Sequence, residues 1–136
     1  LFLIAASLIL MSQKCDESDH DHDGATHPFV MMKTTGCFGT CPIYTFKINN
    51  KGMANYEGER FVKIEGKKEK KYTKKQVEGL FQAFESSDYF SYKDEYKGNI
   101  TDLPSTYLTY NNGKQEKRIH LYYEIPEKLK GLSNLV

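Results

Sequence analysis

The chain has no tryptophan, only three cysteines among its 136 residues, and no apolar run as long as a membrane-spanning helix. In place of tryptophan it carries ten Tyr and eight Phe, rings that suit half-buried pleated surfaces better than the interior of a helical bundle, so the composition leans toward sheet. The stretch LFLIAASLILM ends at residue 11, well short of the roughly 20 apolar residues that cross a bilayer. No second cysteine pair and no HxxxH accompanies Cys37 and Cys41, which argues against a four-ligand structural zinc site. No internal repeat is visible. With 39% hydrophobic residues, the chain has apolar mass for one core and no room for a second domain.

The apolar run has the length of the hydrophobic region of a secretory signal and gives way at once to SQKCDESDHDHDG. Residues 1–15 are therefore read as a signal or lipoprotein-type leader, 16–28 as an acidic, His- and Asp-rich spacer, and 29–136 as a single domain. Cys15 lies four residues past the run, where a bacterial lipoprotein carries its acylated cysteine, and is the expected lipidation site. Gln13 and Lys14 stand where the lipobox has a small residue, which keeps ordinary cleavage and an uncleaved anchor open. The expected localisation is exported, either anchored at the cell envelope or secreted. The net charge of +1 hides an asymmetry: residues 16–23 hold five acids, and from Gly24 onward 18 basic residues face 13 acidic ones, a net +5.

From Phe29 the pattern becomes that of a folded domain. FVMMKTT reads as a strand, and IYTFKI at 43–48 alternates Tyr44, Phe46 and Ile48 against Ile43, Thr45 and Lys47. Asn49-Asn50-Lys51-Gly52 tolerates positive φ and predicts a hairpin to Met53–Glu57, with Phe61, Val62 and Ile64 continuing the meander. Thr73 followed by Gln76 has the form of a capping box, and Val77, Leu80, Phe81 and Phe84 share one helical face, so a helix is expected over 74–87. Asn112-Gly113 joins strands 105–110 and 117–123, and Pro126 opens a short last helix. The fold class expected is α+β: a mostly antiparallel sheet of hairpins with one main helix and a short C-terminal helix.

Cysteine arithmetic singles out TGCFGTCPIY. If Cys15 is acylated, Cys37 and Cys41 remain as a pair in a compartment where disulfides persist. Gly36, Gly39 and Pro42 oppose a helix there, and a glycine-containing loop can curl the two sulfurs together. A structural disulfide is the leading reading, with free or redox-active thiols and a metal clip as alternatives. The cluster His20, His22 and His27 with Asp19, Asp21 and Asp23 has metal-ligand chemistry but no scaffold, and reads as a solvated spacer. Six lysines between Lys67 and Lys75 read as the guard of an edge strand rather than a nucleic-acid surface. His120 has no visible nucleophile partner, Asp102 beside a proline is a turn cap before it is an acid, and Asn99-Ile100-Thr101 matches a glycosylation acceptor.

The blocks TGCFGTCPIYTFKI, NNKGMANYEG, TKKQVEGLFQAF and TDLPSTYLTY resemble an uncharacterised bacterial family of exported domains of unknown function, DUF6438, over about residues 29–135. The resemblance implies a cell-envelope setting and marks Cys37, Cys41, Pro42, Tyr44 and Asp102 as signature positions, but implies no reaction. The expectation is a lipid-anchored, non-catalytic binding or structural domain without catalytic residues, metal or cofactor. Its partner would be an unknown envelope or extracellular molecule and not a nucleic acid. The alternative is a thiol-redox or metal-assisted protein acting through Cys37 and Cys41.

Overall fold

The computed structural model describes residues 27–136, so Cys15 and the His/Asp cluster other than His27 lie outside the described residues. The strands are β1 (Phe29–Thr34), β2 (Ile43–Asn49), β3 (Met53–Arg60), β4 (Gly66–Lys71), β5 (Glu95–Tyr96), β6 (Thr106–Asn111) and β7 (Glu116–Leu121). The helices are α1 (Lys74–Ser86) and α2 (Glu127–Leu135), with a single 3₁₀ turn at Tyr89–Ser91. The strands form one sheet in the order β4-β3-β2-β1-β6-β7-β5. Every neighbouring pair is antiparallel except β5 with β7. The fold is therefore α+β, with one main helix and a short C-terminal one.

Period-two alternation decides which face is covered. Cross-strand register brings Val30 beside Ile48 and Tyr110, Met32 beside Leu108, and Leu108 beside Ile119. These residues join Val77 and Phe84 of α1 and Leu129 and Leu132 of α2 in one buried cluster, so both helices lie on the same side of the sheet. Phe84, Tyr89 and Tyr110 meet ring to ring at its centre. The Tyr89 hydroxyl donates to the Leu108 carbonyl at 2.7 Å, which satisfies the one polar atom that this buried ring brings inside. Burial pushes the Tyr89 phenol up.

α1 begins where its sequence signals it. The Thr73 hydroxyl accepts the Gln76 N–H at 3.3 Å, and the Gln76 side chain accepts the Thr73 N–H at 3.1 Å. Gly52 closes the β2–β3 hairpin at φ +86°, and a Cβ there would stand 2.8 Å from the Tyr72 carbonyl oxygen, so turn and helix entry are packed against each other. One local expectation changes and another holds. Phe61, Val62 and Ile64 lie in a bend rather than a strand, with Phe61 at φ +56°. The fourth strand is the exposed GKKEKK segment, which pairs from Gly58–Gly66 to Met53–Lys71 and forms an edge guarded by lysines.

Candidate functional site

The end of the sheet where β1 finishes gathers every signature position. Thr34 closes the loop that runs from β1 to β2: its hydroxyl donates to the Pro42 carbonyl at 2.8 Å and accepts the Tyr44 N–H at 3.1 Å. Within that loop Cys37 and Cys41 are joined as a disulfide pair, with Cα atoms 5.6 Å apart, inside the window a disulfide needs. The loop precedes a strand and not a helix, so the chain that follows the pair brings no helix N-terminus to either sulfur. Phe38, inside the closed ring, is 92% exposed. Tyr44 turns its ring to the helix side, 5.8 Å from Tyr56, where burial first and Tyr56 second push its hydroxyl up.

The second signature segment meets the first at its root. Thr35 donates its N–H to the Ser105 carbonyl at 2.9 Å, and Ser105 returns its own N–H to the Thr35 hydroxyl at 3.1 Å. Upstream, the Tyr122 hydroxyl donates to the Ile100 carbonyl at 2.8 Å and accepts the Leu103 N–H at 3.3 Å, holding the TDLP loop in place. Asp102 sits at φ +71°. Its carboxylate accepts from the Thr101 hydroxyl at 3.2 Å, with no backbone N–H on it among the described hydrogen bonds. Its contribution is tolerance of the left-handed backbone rather than the turn cap expected from the sequence.

On the face away from the helices, register sets Thr45, Lys33, Tyr107, His120 and Glu95 in one cross-strand row. His120 Nδ1 lies 3.1 Å from Glu95 Oε1, and its Nε2 lies 2.8 Å from Ser105 Oγ. Tyr107 stacks on the imidazole at 4.6 Å with planes 14° apart, and Arg118 caps the Tyr107 ring at 4.0 Å. Lys97 pairs with Glu95 at 2.9 Å. The Lys97 hydrogen bond, and then the one from His120, hold the Glu95 carboxyl below the usual carboxylate range. Glu95 reaches this place because Lys117 ties the preceding segment to β7: its ammonium donates to the Phe90 and Tyr92 carbonyls and pairs with Asp94 at 3.0 Å.

No sequence signal marks this chain of contacts, because Ser105 and Glu95 lie 15 and 25 positions from His120 and β5 is only two residues long. His120, which shows no nucleophile partner in the sequence, has Ser105 within hydrogen-bonding distance in the fold. Hollows of about 480 and 330 Å³ lie elsewhere, on the helix side, and share Phe46, Tyr72 and Val136 in their walls. Among the described residues, no three His, Cys, Asp or Glu side chains converge as a metal centre. No helix there is long and apolar enough to cross a membrane.

A family described as Domain of unknown function (DUF6438) matches residues 28–136, the span that contains the whole sheet and both helices. The chain belongs to this family. A search of curated proteins returns no match. The DUF6438 domain thus carries its disulfide loop, its TDLP loop and the Ser105–His120–Glu95 contacts at one end of one sheet.

Proposed function

We propose that this DUF6438 domain is an exported, lipid-anchored envelope module that binds a protein partner through the loops at the signature end of its sheet. The observation that carries the reading is Phe38, a large apolar side chain held almost fully in solvent by a ring closed between Cys37 and Cys41. A short disulfide ring limits the conformations the loop can lose on association, so an aromatic presented this way is preorganised as an anchor. Exposed apolar side chains gather at the same end: Phe61 and Ile64 in the β3–β4 connection and Ile100 and Leu103 in the TDLP loop. The pairings Thr34–Thr106 and Ile43–Arg60 place those loops on that side.

Charges of both signs stand in these loops: Lys63 and Glu65 in the β3–β4 connection and Asp102 in the TDLP loop, with Lys97 paired to Glu95 beside it in the chain. A balanced polar rim around an apolar centre suits a protein interface, whereas an anionic lipid surface would favour a uniformly basic one. The reaction-based alternative through Cys37 and Cys41 has less support, because the pair opens a strand rather than a helix.

The test compares capture of envelope proteins by immobilised wild type, Phe38→Asp, Ile64→Asp and, at the opposite end, Met53→Ser. A defined partner should be retained by wild type and Met53→Ser and lost at least about 10-fold with each Asp variant. Thermal midpoints should stay together, since all three replaced side chains are exposed. Equal capture by all four proteins, or co-flotation with protein-free vesicles that depends on Phe38, would refute a protein-binding end.

A further inference from the structure

We propose that Ser105, His120 and Glu95 form an acyl-transfer site, with Ser105 as nucleophile and small activated esters bearing an anionic group as substrates. The polarity of the contacts carries the argument. An ionised carboxylate can only accept hydrogen bonds. With Glu95 Oε1 3.1 Å from Nδ1, the neutral imidazole therefore keeps its proton on Nδ1. Nε2 then offers a lone pair, and the group 2.8 Å from it is the Ser105 hydroxyl, which must be the donor. Carboxylate to imidazole to hydroxyl is the order in which a general base activates a serine.

The geometry is held from several directions. The Tyr107 stack and the Tyr122 ring, 6.0 Å away, fix the imidazole plane. Reciprocal hydrogen bonds with Thr35 fix the Ser105 backbone. The carboxylate is set by the parallel pairing of Glu95 with His120. The three groups come from β5, from β7 and from the residue before β6, so no single turn brings them together. Lys33 stands opposite Tyr107 in register, and the Arg118 guanidinium lies over that ring, which places two cations on the same face as His120. An anionic group on the substrate would lie between them.

The step balances as ester hydrolysis. Ser105 Oγ bonds to the carbonyl carbon while its proton passes to Nε2, and the Glu95 carboxylate faces the imidazolium. The bond to the leaving oxygen breaks, and that oxygen takes the proton from Nε2. Water then attacks the acyl-serine, giving its proton to Nε2, and the acid leaves as Ser105 recovers the proton. The sum is ester plus water to acid plus alcohol.

The full chain, treated with an alkyl fluorophosphonate, should gain one phosphonyl group on Ser105 with loss of fluoride, read by intact mass and peptide mapping. Ser105→Ala should remove the adduct, His120→Gln should slow labelling about 100-fold, and Glu95→Gln should slow it about 10-fold. A 4-nitrophenyl ester with a free carboxylate should be hydrolysed with the same ranking, and Arg118→Gln should raise KM more than it lowers kcat. Melting curves accompany each variant, and Glu95→Gln carries the comparison if His120→Gln does not fold. Absence of label on Ser105, or equal labelling rates in wild type and Glu95→Gln, would mean that these contacts only staple β5 and the loops to β7.

Discussion

Thr35 and Ser105, 70 positions apart, exchange hydrogen bonds in both directions: the Ser105 N–H meets the Thr35 hydroxyl at 3.1 Å, and the Thr35 N–H meets the Ser105 carbonyl at 2.9 Å. This junction couples the disulfide loop to the TDLP loop and seats Ser105 beside His120.

Replacing Thr35 with valine keeps the shape and removes the acceptor for the Ser105 N–H. The expected loss is about 1–2 kcal/mol in denaturant unfolding, from a hydrogen bond left unmade at a half-buried site. Amide exchange should quicken at 100–106 while the α1 core is unchanged. Exchange that quickens evenly over the whole domain would contradict a local junction.

The Cys37–Cys41 ring is short, so it restricts the unfolded chain less than a long loop would. The double variant Cys37→Ser with Cys41→Ser should fold, with stability reduced by about 1–3 kcal/mol. Its largest spectral changes should fall between Gly36 and Tyr44. Protein isolated from its native compartment should show no reactive thiol at these two positions before reduction, and two free thiols there would overturn the clasp.

Glu95 ties acid stability to the same end. Its carboxyl is lowered by the Lys97 hydrogen bond first and the His120 hydrogen bond second. A carboxyl lowered in the folded state stabilises the fold fully above its unfolded value, and that contribution disappears as pH falls through the folded value. Lys97→Ala should raise the Glu95 midpoint in a carbonyl-detected NMR titration. An unmoved midpoint would remove Lys97 as the main cause.

The proposed lipidation at Cys15 is tested on the protein expressed from its own gene. It should partition with membranes, gain the mass of an acylated cysteine, and lose both properties in Cys15→Ala. Identical partitioning of that variant would favour an uncleaved anchor instead.

Local rules were enough to read several elements. The Thr73–Gln76 capping box and the Val77–Phe84 stripe specify α1 within a dozen residues. Alternation specifies β2, and Asn112-Gly113 specifies the β6–β7 hairpin, because each signal lies inside the segment it organises. The cysteine pair was equally legible, being four positions apart with glycines around it. Pairing across the sheet follows another logic. GKKEKK has little strand propensity and becomes β4 because β3 presents it with an unpaired edge, while the more apolar Phe61–Ile64 segment is spent on the bend between them. Glu95 and Tyr96 become β5 only because β7 lies alongside and Lys117 holds the segment before them. Ser105, His120 and Glu95 are ordinary residues in three separate stretches, and what makes them a site is the register of β6 and β7 and the parallel addition of β5. Such relationships depend on which strands become neighbours, a choice made by burial of the shared apolar face over the whole domain, and no window of sequence contains it.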